Sequence, residues 1–306
     1  MEFALEEGRH LSADCPVLLL PGLSIGNVGQ LAIDLLISST AAKRVGFLDA
    51  PLLLPCVGND AYGPEPSGLL SLPLELLKSI NGRSVDVCTD PSSYLPFTVY
   101  ESTQHALTLI QQRSPVVKGM MVEFSKEMAD FVSSIGKKHI VILSSLDSGR
   151  LKKIVASSDM QVYYISSVNT DGTDAECERL GFKRLEEYDS TQRRWAYLNE
   201  LAEGKLVQDD EINLEEELVD DDYYPGLPFA ALLSCCKAKG LKVTCLLCYC
   251  SEGDNIPDSF QLAGAACKLL KLTPDKFSGD ANAQGGWIVP LSWKTVYGPP
   301  PDMSLF

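Results

Sequence analysis

The chain has 306 residues, of which 45% are hydrophobic and 22% charged, and its formal net charge is −15. This composition can fill a substantial core, in one large domain or two small ones. The acidic balance argues against nucleic acid and anionic membranes as partners, because both select basic protein surfaces.

The N-terminal segment MEFALEEGRH is acidic and has no long apolar run, so we expect no signal peptide. No apolar run elsewhere is long enough to cross a bilayer. The ten cysteines, in a chain without a secretory signal, are then expected to be reduced thiols of the cytosol or nucleus.

A strand, a loop and a helix are predicted between Val17 and Leu36. Val17–Leu20 is a short apolar run typical of a buried strand, the first of the chain, and Pro21-Gly22 ends it. Asn27 is placed to cap the helix, with Gln30 completing a capping box. The helix then carries apolar side chains at i, i+3, i+4, i+7 and i+8 from Val28, which predicts one face packed on a sheet. This is the first half of an α/β unit.

The loop after this strand matches the G-x-S-x-G pattern of a nucleophilic serine, with Ser24 at its centre. A hydrolase of this type also needs an acid and then a histidine downstream, and an oxyanion loop from an earlier strand. The chain has three histidines, at positions 10, 105 and 139, and the strand is predicted to be the first. We therefore place a hydrolase well below a non-enzymatic role.

The same loop has glycines at Gly22, Gly26 and Gly29, which invites the interpretation of a phosphate cradle at a helix start. Their spacing is neither the dinucleotide fingerprint nor a P-loop. The favoured alternative is that Gly26 permits a tight turn and Gly29 permits close approach of the helix to its neighbour. We therefore expect no cofactor.

The middle of the chain is predicted to alternate strands with irregular segments. Tyr62–Leu95 is interrupted by prolines and should form loops, and a turn is predicted at Gly58-Asn59-Asp60. The run Leu107–Gln112 is also compatible with a helix. The predicted strands of this part are Arg44–Leu48, Leu53–Val57, Phe97–Glu101 and Leu107–Gln112.

Val116–Ile135 has apolar residues at spacings of three and four and predicts a helix ended by Gly136. His139–Leu143 follows as a buried strand, and this strand, helix, strand order indicates a parallel sheet. Gln161–Ile165 is a further predicted strand, and Ala175–Leu180 a short helix.

An acidic segment lies between Glu200 and Asp222, where eleven carboxylates are accompanied by one base, Lys205. Its charge density predicts a mobile insertion, with bounds near 200–224. The alternative is an acidic surface that attracts a basic partner.

Order is predicted to return with a helix at Pro228–Lys239, a buried strand at Val243–Cys250 and a helix from Pro257 to about Leu272. Cys245 and Cys248 have C-x-x-C spacing, but a strand would point them to opposite faces, so core cysteines are favoured over a zinc site. The acidic residues between Glu252 and Asp258 are interpreted as turn and cap residues, with a hard cation as the alternative. No metal is expected.

The end of the chain has two tryptophans, Trp287 and Trp293, followed by Pro299-Pro300-Pro301. The prolines predict a stiff, extended tail over residues 298–306 with an apolar tip at Leu305-Phe306. Such a tail suits insertion into a pocket of another protein, although a frayed terminus is the alternative.

Four stretches together resemble the proteasome assembly chaperone 2 family: LPGLSIGNVGQLAIDLLISS at Leu20–Ser39, PCVGND at Pro55–Asp60, SEGDNIPD at Ser251–Asp258 and the closing W-x-x-P-x-S-W with its Pro-rich, Leu-Phe end. The resemblance implies a single α/β domain over residues 1–306. The resemblance also implies a mostly parallel central sheet with helices on both faces, a three-layer sandwich like that of nucleoside phosphorylases.

The resemblance also implies a function. Family members are not enzymes, and they form heterodimers with proteasome assembly chaperone 1, support formation of the α-ring from 20S proteasome α-subunits and prevent off-pathway association. We therefore expect this chain in the cytoplasm and nucleus. The competing hypotheses are a phosphorylase-like or hydrolase-like enzyme that uses Ser24, and an adaptor unrelated to the proteasome.

Two sets of site residues follow from the resemblance. Relatives dock tails that end in a hydrophobic residue, tyrosine and any residue, and here Leu305 replaces the tyrosine and Ser304 the hydrophobic residue. The expected tail-docking residues are Met303, Ser304, Leu305 and Phe306. The expected structural or interface residues of the motif loops are Ser24, Gly26, Asn27, Gly29, Gly58, Asn59, Glu252, Gly253, Asp254 and Asn255.

Overall fold

In the computed structural model, the described residues are 1–54, 97–150, 161–185, 193–205, 227–274, 277, 286–290 and 293. The strands within them are β1 Glu2–Leu5, β2 Val17–Pro21, β3 Lys43–Asp49, β4 Phe97–Ser102, β5 Leu107–Gln112, β6 His139–Asp147, β7 Val162–Ser166, β8 Lys183–Arg184 and β9 Lys242–Cys250. The α-helices are α1 Val28–Ser39, α2 Met121–Ser134, α3 Ala175–Arg179, α4 Arg193–Ala202, α5 Leu227–Ala238 and α6 Ile256–Leu270.

The strands form one sheet in the order β1-β3-β4-β5-β2-β6-β9-β7-β8. The central strands β5, β2, β6 and β9 are parallel, and antiparallel strands are added on both sides. The centre is rich in Val, Ile and Leu because its strands are covered on both faces. The predicted parallel centre is confirmed, and the antiparallel strands β1, β3 and β4 extend it on one side.

Helices cover both faces of the sheet and divide the core into two clusters. On one face, α2, α4 and α5 contribute Phe124, Trp195 and Phe229. On the other, α1 and α6 contribute Ile33 and Leu262. The three-layer arrangement predicted from the sequence is therefore confirmed.

Three predicted elements differ from the structure. The strand at Val17 is the second, because Glu2–Leu5 pairs antiparallel with β3. Of the strand predicted at Leu53–Val57, the described residues show a bridge between Leu53 and Val116, and residues 55–57 lie outside the described part of the chain. Because Val116 belongs to this bridge, α2 begins at Met121 and not at Val116.

The first residues of the acidic segment belong to a helix. Glu200 lies within α4, whose Trp195, Leu198 and Leu201 are buried, so the apolar face of this helix holds its last turn in place. Residues 206–226 lie outside the described part of the chain. The mobile insertion therefore stays a prediction for these residues.

The parallel strands end together at one edge of the sheet, which we call the carboxyl-end edge, and begin together at the amino-end edge. The loops after β2, β6 and β9 meet at the carboxyl-end edge. In the described ranges, no helix is both long and apolar enough to span a membrane.

A buried ion pair lies at the amino-end edge, between Glu101 of β4 and Lys137 before β6. Lys137 Nζ lies 3.1 Å from Glu101 Oε1, and each residue is 5% exposed. The Ser12 amide and the Thr108 hydroxyl donate to Glu101, and Lys137 donates to the carbonyl oxygen of Cys15 at 3.0 Å. The pair thereby fastens the loop before β2 to the sheet.

Candidate functional site

The loop of residues 22–27 joins β2 to α1 and is bonded to the end of β6. The Gly22 amide donates to the Leu143 carbonyl oxygen at 2.8 Å, which continues the ladder between the strands. The Ser145 amide donates to Ser24 Oγ at 3.0 Å, and the Ser145 hydroxyl donates to the Ile25 carbonyl oxygen at 2.5 Å. These bonds fix the loop on the carboxyl-end edge.

Gly26 and Asn27 both adopt left-handed backbone conformations, with φ of 62° and 52°. A Cβ at position 26 would lie 1.9 Å from Asn255 Nδ2, so the Asn255 side chain occupies the space that glycine leaves. The predicted tight turn at Gly26 is confirmed. It also brings the loop against the segment that follows β9.

The predicted capping box at Asn27 is wrong. Asn27 is the residue before α1, but its side chain makes no capping hydrogen bond. Its left-handed backbone differs from the extended conformation of an ordinary N-cap, and its side chain instead accepts a bond from Gln30 Nε2 at 3.4 Å. The preceding Gly26 was the feature of the sequence that could have indicated this conformation, because its left-handed turn continues through Asn27.

Gly29 lies where α1 approaches the sheet most closely. A Cβ there would lie 2.2 Å from the carbonyl oxygen of Leu143 on β6. Close approach therefore accounts for this glycine, as the sequence predicted. The glycine spacing needs no phosphate ligand to explain it.

The segment after β9 forms the second part of the site. Asp254 Oδ1 accepts the Ile256 amide at 3.2 Å at the start of α6, and Asn255 Nδ2 donates to the Gly253 carbonyl oxygen at 3.2 Å. The Cys250 thiol lies 3.4 Å from the Ile25 carbonyl oxygen. The loops of residues 22–27 and 251–255, separated by more than two hundred residues in sequence, therefore form one surface.

The histidines lie away from Ser24. His139 and Ser145, whose amide binds Ser24, stand at opposite ends of β6, roughly 20 Å apart at about 3.3 Å per residue. His105 follows β4 and packs on Phe277 at 5.1 Å, and His10 lies two residues before Ser12 at the amino-end edge. The arrangement therefore lacks the nucleophile and base geometry that the G-x-S-x-G hypothesis requires.

The thiols of the C-x-x-C pattern point to opposite faces of β9. Cys245 belongs to the core cluster under α5, and Cys248 belongs to the cluster under α6. Burial raises the pKa of Cys235 and Cys236 to about 12. Among the described residues, no group of three or more His, Cys, Asp or Glu side chains is arranged to hold a metal ion.

A partly buried polar network at the carboxyl-end edge was not predicted. Arg113 donates two bonds to Asp34, at 2.7 and 2.6 Å, and Gln111 Nε2 donates to Asp34 Oδ1 at 2.6 Å. Gln111 also donates to the Gln30 carbonyl oxygen at 2.9 Å. The signal that could have revealed it is a charged residue, Asp34, inside the apolar sequence of α1.

His139 is predicted to make the protein sensitive to acid. Burial, with the positive charge of Lys242, lowers the pKa of His139 to about 4, while Asp174 acts in the opposite direction. This pKa lies below that of histidine in an unfolded chain. Neutral His139 therefore contributes to the stability of the fold above about pH 6.5, and this contribution is lost as the pH falls towards 4. We expect a loss of about 2–3 kcal/mol in the free energy of unfolding.

Urea unfolding of the protein and of its His139→Gln variant, measured at several pH values across this window, tests the prediction. Glutamine keeps a polar group opposite Thr244 Oγ1, which lies 3.0 Å from His139 Nε2. The variant should show a shallower dependence on pH between about 6.5 and 4. Equal slopes for the two proteins would assign the acid sensitivity to other groups.

The remaining site residues from the sequence, Gly58, Asn59, Met303, Ser304, Leu305 and Phe306, lie outside the described residues. The structure brings together the loop that holds Ser24, Gly26 and Asn27, with Gly29 in the first turn of α1 behind it, and the segment Glu252–Asn255. Hydrogen bonds from β6 and β9 hold the two loops together, and no described histidine lies beside Ser24.

The sequence model of the PAC2 family matches residues 18–275 of the chain. A Danio rerio protein named proteasome assembly chaperone 2 is 29% identical over 290 residues, which cover 92% of this chain and 91% of that protein. A Xenopus laevis protein of the same name is 27% identical over 283 residues, with coverages of 92% and 91%. The crystal structure of Pyrococcus furiosus PbaA, titled an archaeal homolog of proteasome-assembly chaperone, shares the fold with a TM-score of 0.52 and 15% identity, over 89% of this chain and 86% of that one.

Proposed function

Since the chain belongs to the PAC2 family, we propose that it is a non-enzymatic chaperone of 20S proteasome assembly. It acts as a heterodimer with proteasome assembly chaperone 1, in the cytoplasm and nucleus, and binds α-subunits while they join into the α-ring. The observation that carries this proposal is the extent of the similarity. Relatives named proteasome assembly chaperone 2 align over 92% of the chain, and the family model spans both motif loops of the carboxyl-end edge.

The geometry of the site supports binding in preference to catalysis. Ser24 Oγ accepts the Ser145 amide, and the described histidines lie elsewhere. The loops are instead fixed by hydrogen bonds from two different strands. A surface that is already ordered loses little conformational entropy when a partner binds, which favours recognition.

The proposed mechanism follows from mass action. A heterodimer that binds correctly joined α-subunits more tightly than separate or misplaced ones shifts their equilibrium towards the ring. The same contact covers a face of the ring and sterically prevents other associations. The apolar tail at Met303–Phe306 is proposed to add binding energy by inserting into a pocket of an α-subunit.

Native mass spectrometry of the full chain, co-expressed with proteasome assembly chaperone 1 and α-subunits, tests the proposal. We expect a 1:1 chaperone pair that carries α-subunits. Deletion of Asp302–Phe306 should weaken the capture of α-subunits but leave the pair intact. Equal capture after this deletion would refute tail docking alone, and failure to form a pair or bind α-subunits would refute the proposed function.

The enzymatic alternative has a separate test. A serine-reactive phosphonate should leave Ser24 unmodified, since no described histidine is placed to activate it. The matched control is a Ser24→Ala variant, which should show the same labelling by the phosphonate as the wild-type protein. Labelling at Ser24 that is lost in this variant would favour a hydrolase.

A further inference from the structure

Four serine or threonine residues in the sequence have a carboxylate three residues further on. They are Thr98 before Glu101, Ser144 before Asp147, Thr173 before Glu176 and Ser251 before Asp254. This S/T-x-x-D/E spacing is the substrate pattern of acidophilic protein kinases, whose lysine and arginine side chains bind the carboxylate and thereby select the hydroxyl. Because the pattern is short, the structure has to distinguish the hydroxyl that a kinase can reach from those that it cannot.

Three of the four hydroxyls are held within the fold. Thr98 is 7% exposed, and Ser144 is 0% exposed within β6. Thr173 is half-buried, and its hydroxyl donates to Asp171 Oδ1 at 2.7 Å and accepts a bond from Asn169 Nδ2 at 2.9 Å. A kinase must place the hydroxyl against the γ-phosphate of ATP, so these three are poorly placed for phosphorylation.

Ser251 differs from the other three in its exposure. It directly follows β9, and residues 251–254 are all exposed, whereas Cys250 and Asn255 on either side of them are each 5% exposed. The Ser251 hydroxyl contacts the hydroxyl of Ser148 in a hydrogen bond that is open to solvent. Water can replace such a partner at little cost, so this hydroxyl is available to an enzyme.

The acidic residues beside Ser251 are available as well. Glu252 and Asp254, one and three residues after the serine, are both exposed. Within the described part of the chain, neither forms an ion pair with a lysine or arginine. Both carboxylates can therefore meet the basic groove of a kinase while the hydroxyl enters its active site.

We propose that Ser251 is a phosphorylation site for an acidophilic protein kinase. In the reaction, Ser251 Oγ forms a bond to the γ-phosphorus of ATP, the bond from that phosphorus to the β,γ-bridging oxygen breaks, and ADP leaves. The hydroxyl proton passes to the catalytic aspartate of the kinase. The product is a phosphate ester with nearly two negative charges at the end of β9. This assignment does not depend on the proposed function.

The phosphate enters a part of the carboxyl-end edge that is already negative. The pKa of the neighbouring Cys250 thiol is raised first by burial and, among the nearby charges, by the carboxylates of Asp258, Glu252 and Asp147. A phosphate on Ser251 adds its own repulsion to these charges. Phosphorylation therefore destabilises the folded position of the segment that carries it.

Few contacts hold this segment against the loop between β2 and α1. The Asn255 side chain lies against Gly26, and the Cys250 thiol lies 3.4 Å from the Ile25 carbonyl oxygen. Ser251 stands between these two points of contact, so repulsion there acts on both. Phosphorylation is thus expected to loosen the loop before α1, which the unmodified chain holds in place.

Treatment of the full folded chain with purified casein kinase 2, an acidophilic kinase, and magnesium ATP tests the proposal. Intact mass spectrometry counts the added phosphate groups, and peptide mapping locates them. We expect phosphate on Ser251 and none on Thr173, which has carboxylates at the same two positions, Asp174 and Glu176. A chain that takes no phosphate on Ser251, or takes it equally fast on Thr173, would overturn the proposal.

Three variants separate recognition of the site from folding, and circular dichroism shows whether each is folded. Ser251→Ala should abolish the modification. Asp254→Asn should slow it by about tenfold or more, because a charge-assisted contact with the kinase is lost. The matched control, Asp258→Asn, removes the same charge beyond the recognised positions and should leave the rate unchanged. Equal slowing by both aspartate variants would refute recognition through Asp254.

Hydrogen exchange of the phosphorylated and unmodified proteins measures the effect on the neighbouring loop. The Asn27 amide, which donates to the Ser24 carbonyl oxygen at 3.2 Å, should exchange about fivefold faster after phosphorylation. The Gly22 amide, which belongs to the ladder with β6, is the internal control and should be unaffected. Unchanged exchange at Asn27 in the phosphorylated protein would refute the effect on the loop.

Discussion

Replacement of Lys137 by methionine is expected to lower the free energy of unfolding by about 3–5 kcal/mol. The substitution would leave Glu101, which is 5% exposed, charged and without its counter-ion. The neutral donors that remain, the Ser12 amide and the Thr108 hydroxyl, cannot offset the cost of a buried negative charge. Urea unfolding followed by circular dichroism measures the difference.

Two controls separate the charge effect from lost packing. In a double variant, Lys137→Met with Glu101→Gln, the buried charge is gone, and much of the stability should return. Lys239→Met breaks the exposed ion pair with Asp130 and should cost less than about 1 kcal/mol. If Lys137→Met and Lys239→Met lower the free energy of unfolding equally, the buried ion pair contributes no more to stability than the exposed one.

Gly29→Ala is expected to destabilise the protein by about 2–3 kcal/mol, although alanine is ordinarily the better helix former. The added Cβ would lie 2.2 Å from the Leu143 carbonyl oxygen. That oxygen is backbone within the central strand β6 and already accepts the Gly22 amide at 2.8 Å, so it cannot move aside without breaking the sheet edge. Thermal and urea unfolding should both register the loss.

The matched control is Gly264→Ala in α6, where an added Cβ meets no atom within 4 Å. This change should stabilise the protein by roughly 0.5–1 kcal/mol through helix propensity. Opposite signs for the two glycines are the expected result. A stabilising effect at both positions would contradict the close approach of α1 to β6.

Local patterns predicted the central elements because burial determines their sequences directly. The runs at Val17, His139 and Val243 are largely apolar, since each strand is covered on both faces, and most residues of α1 are buried. Short β1 has no such pattern, because its place depends on pairing with β3. The start of α2 depended in the same way on the distant bridge between Leu53 and Val116.

The candidate site was predictable only in part for a related reason. The glycines at positions 26 and 29 indicated a turn and a close contact, which are local consequences of a missing side chain. The contact of Asn255 with Gly26 and the pairing of Asp34 with Arg113 join residues distant in sequence. No periodicity encodes such contacts, so the sequence showed the loops but not that they form one surface.

The order of the central strands has a consequence for the folding of this protein during its synthesis on the ribosome. During synthesis β6 can pair early with β2, which precedes it in the chain. Its other neighbour is β9, so His139 cannot pair with Lys242 until β9 has been synthesised. Pairing between such distant segments is slow, because the closure of a long loop precedes any gain from contacts. Until residue 250 has left the ribosomal tunnel, the nascent chain presents an apolar strand with an open edge, the kind of surface that invites aggregation. This protein is therefore expected to need protection during its own synthesis.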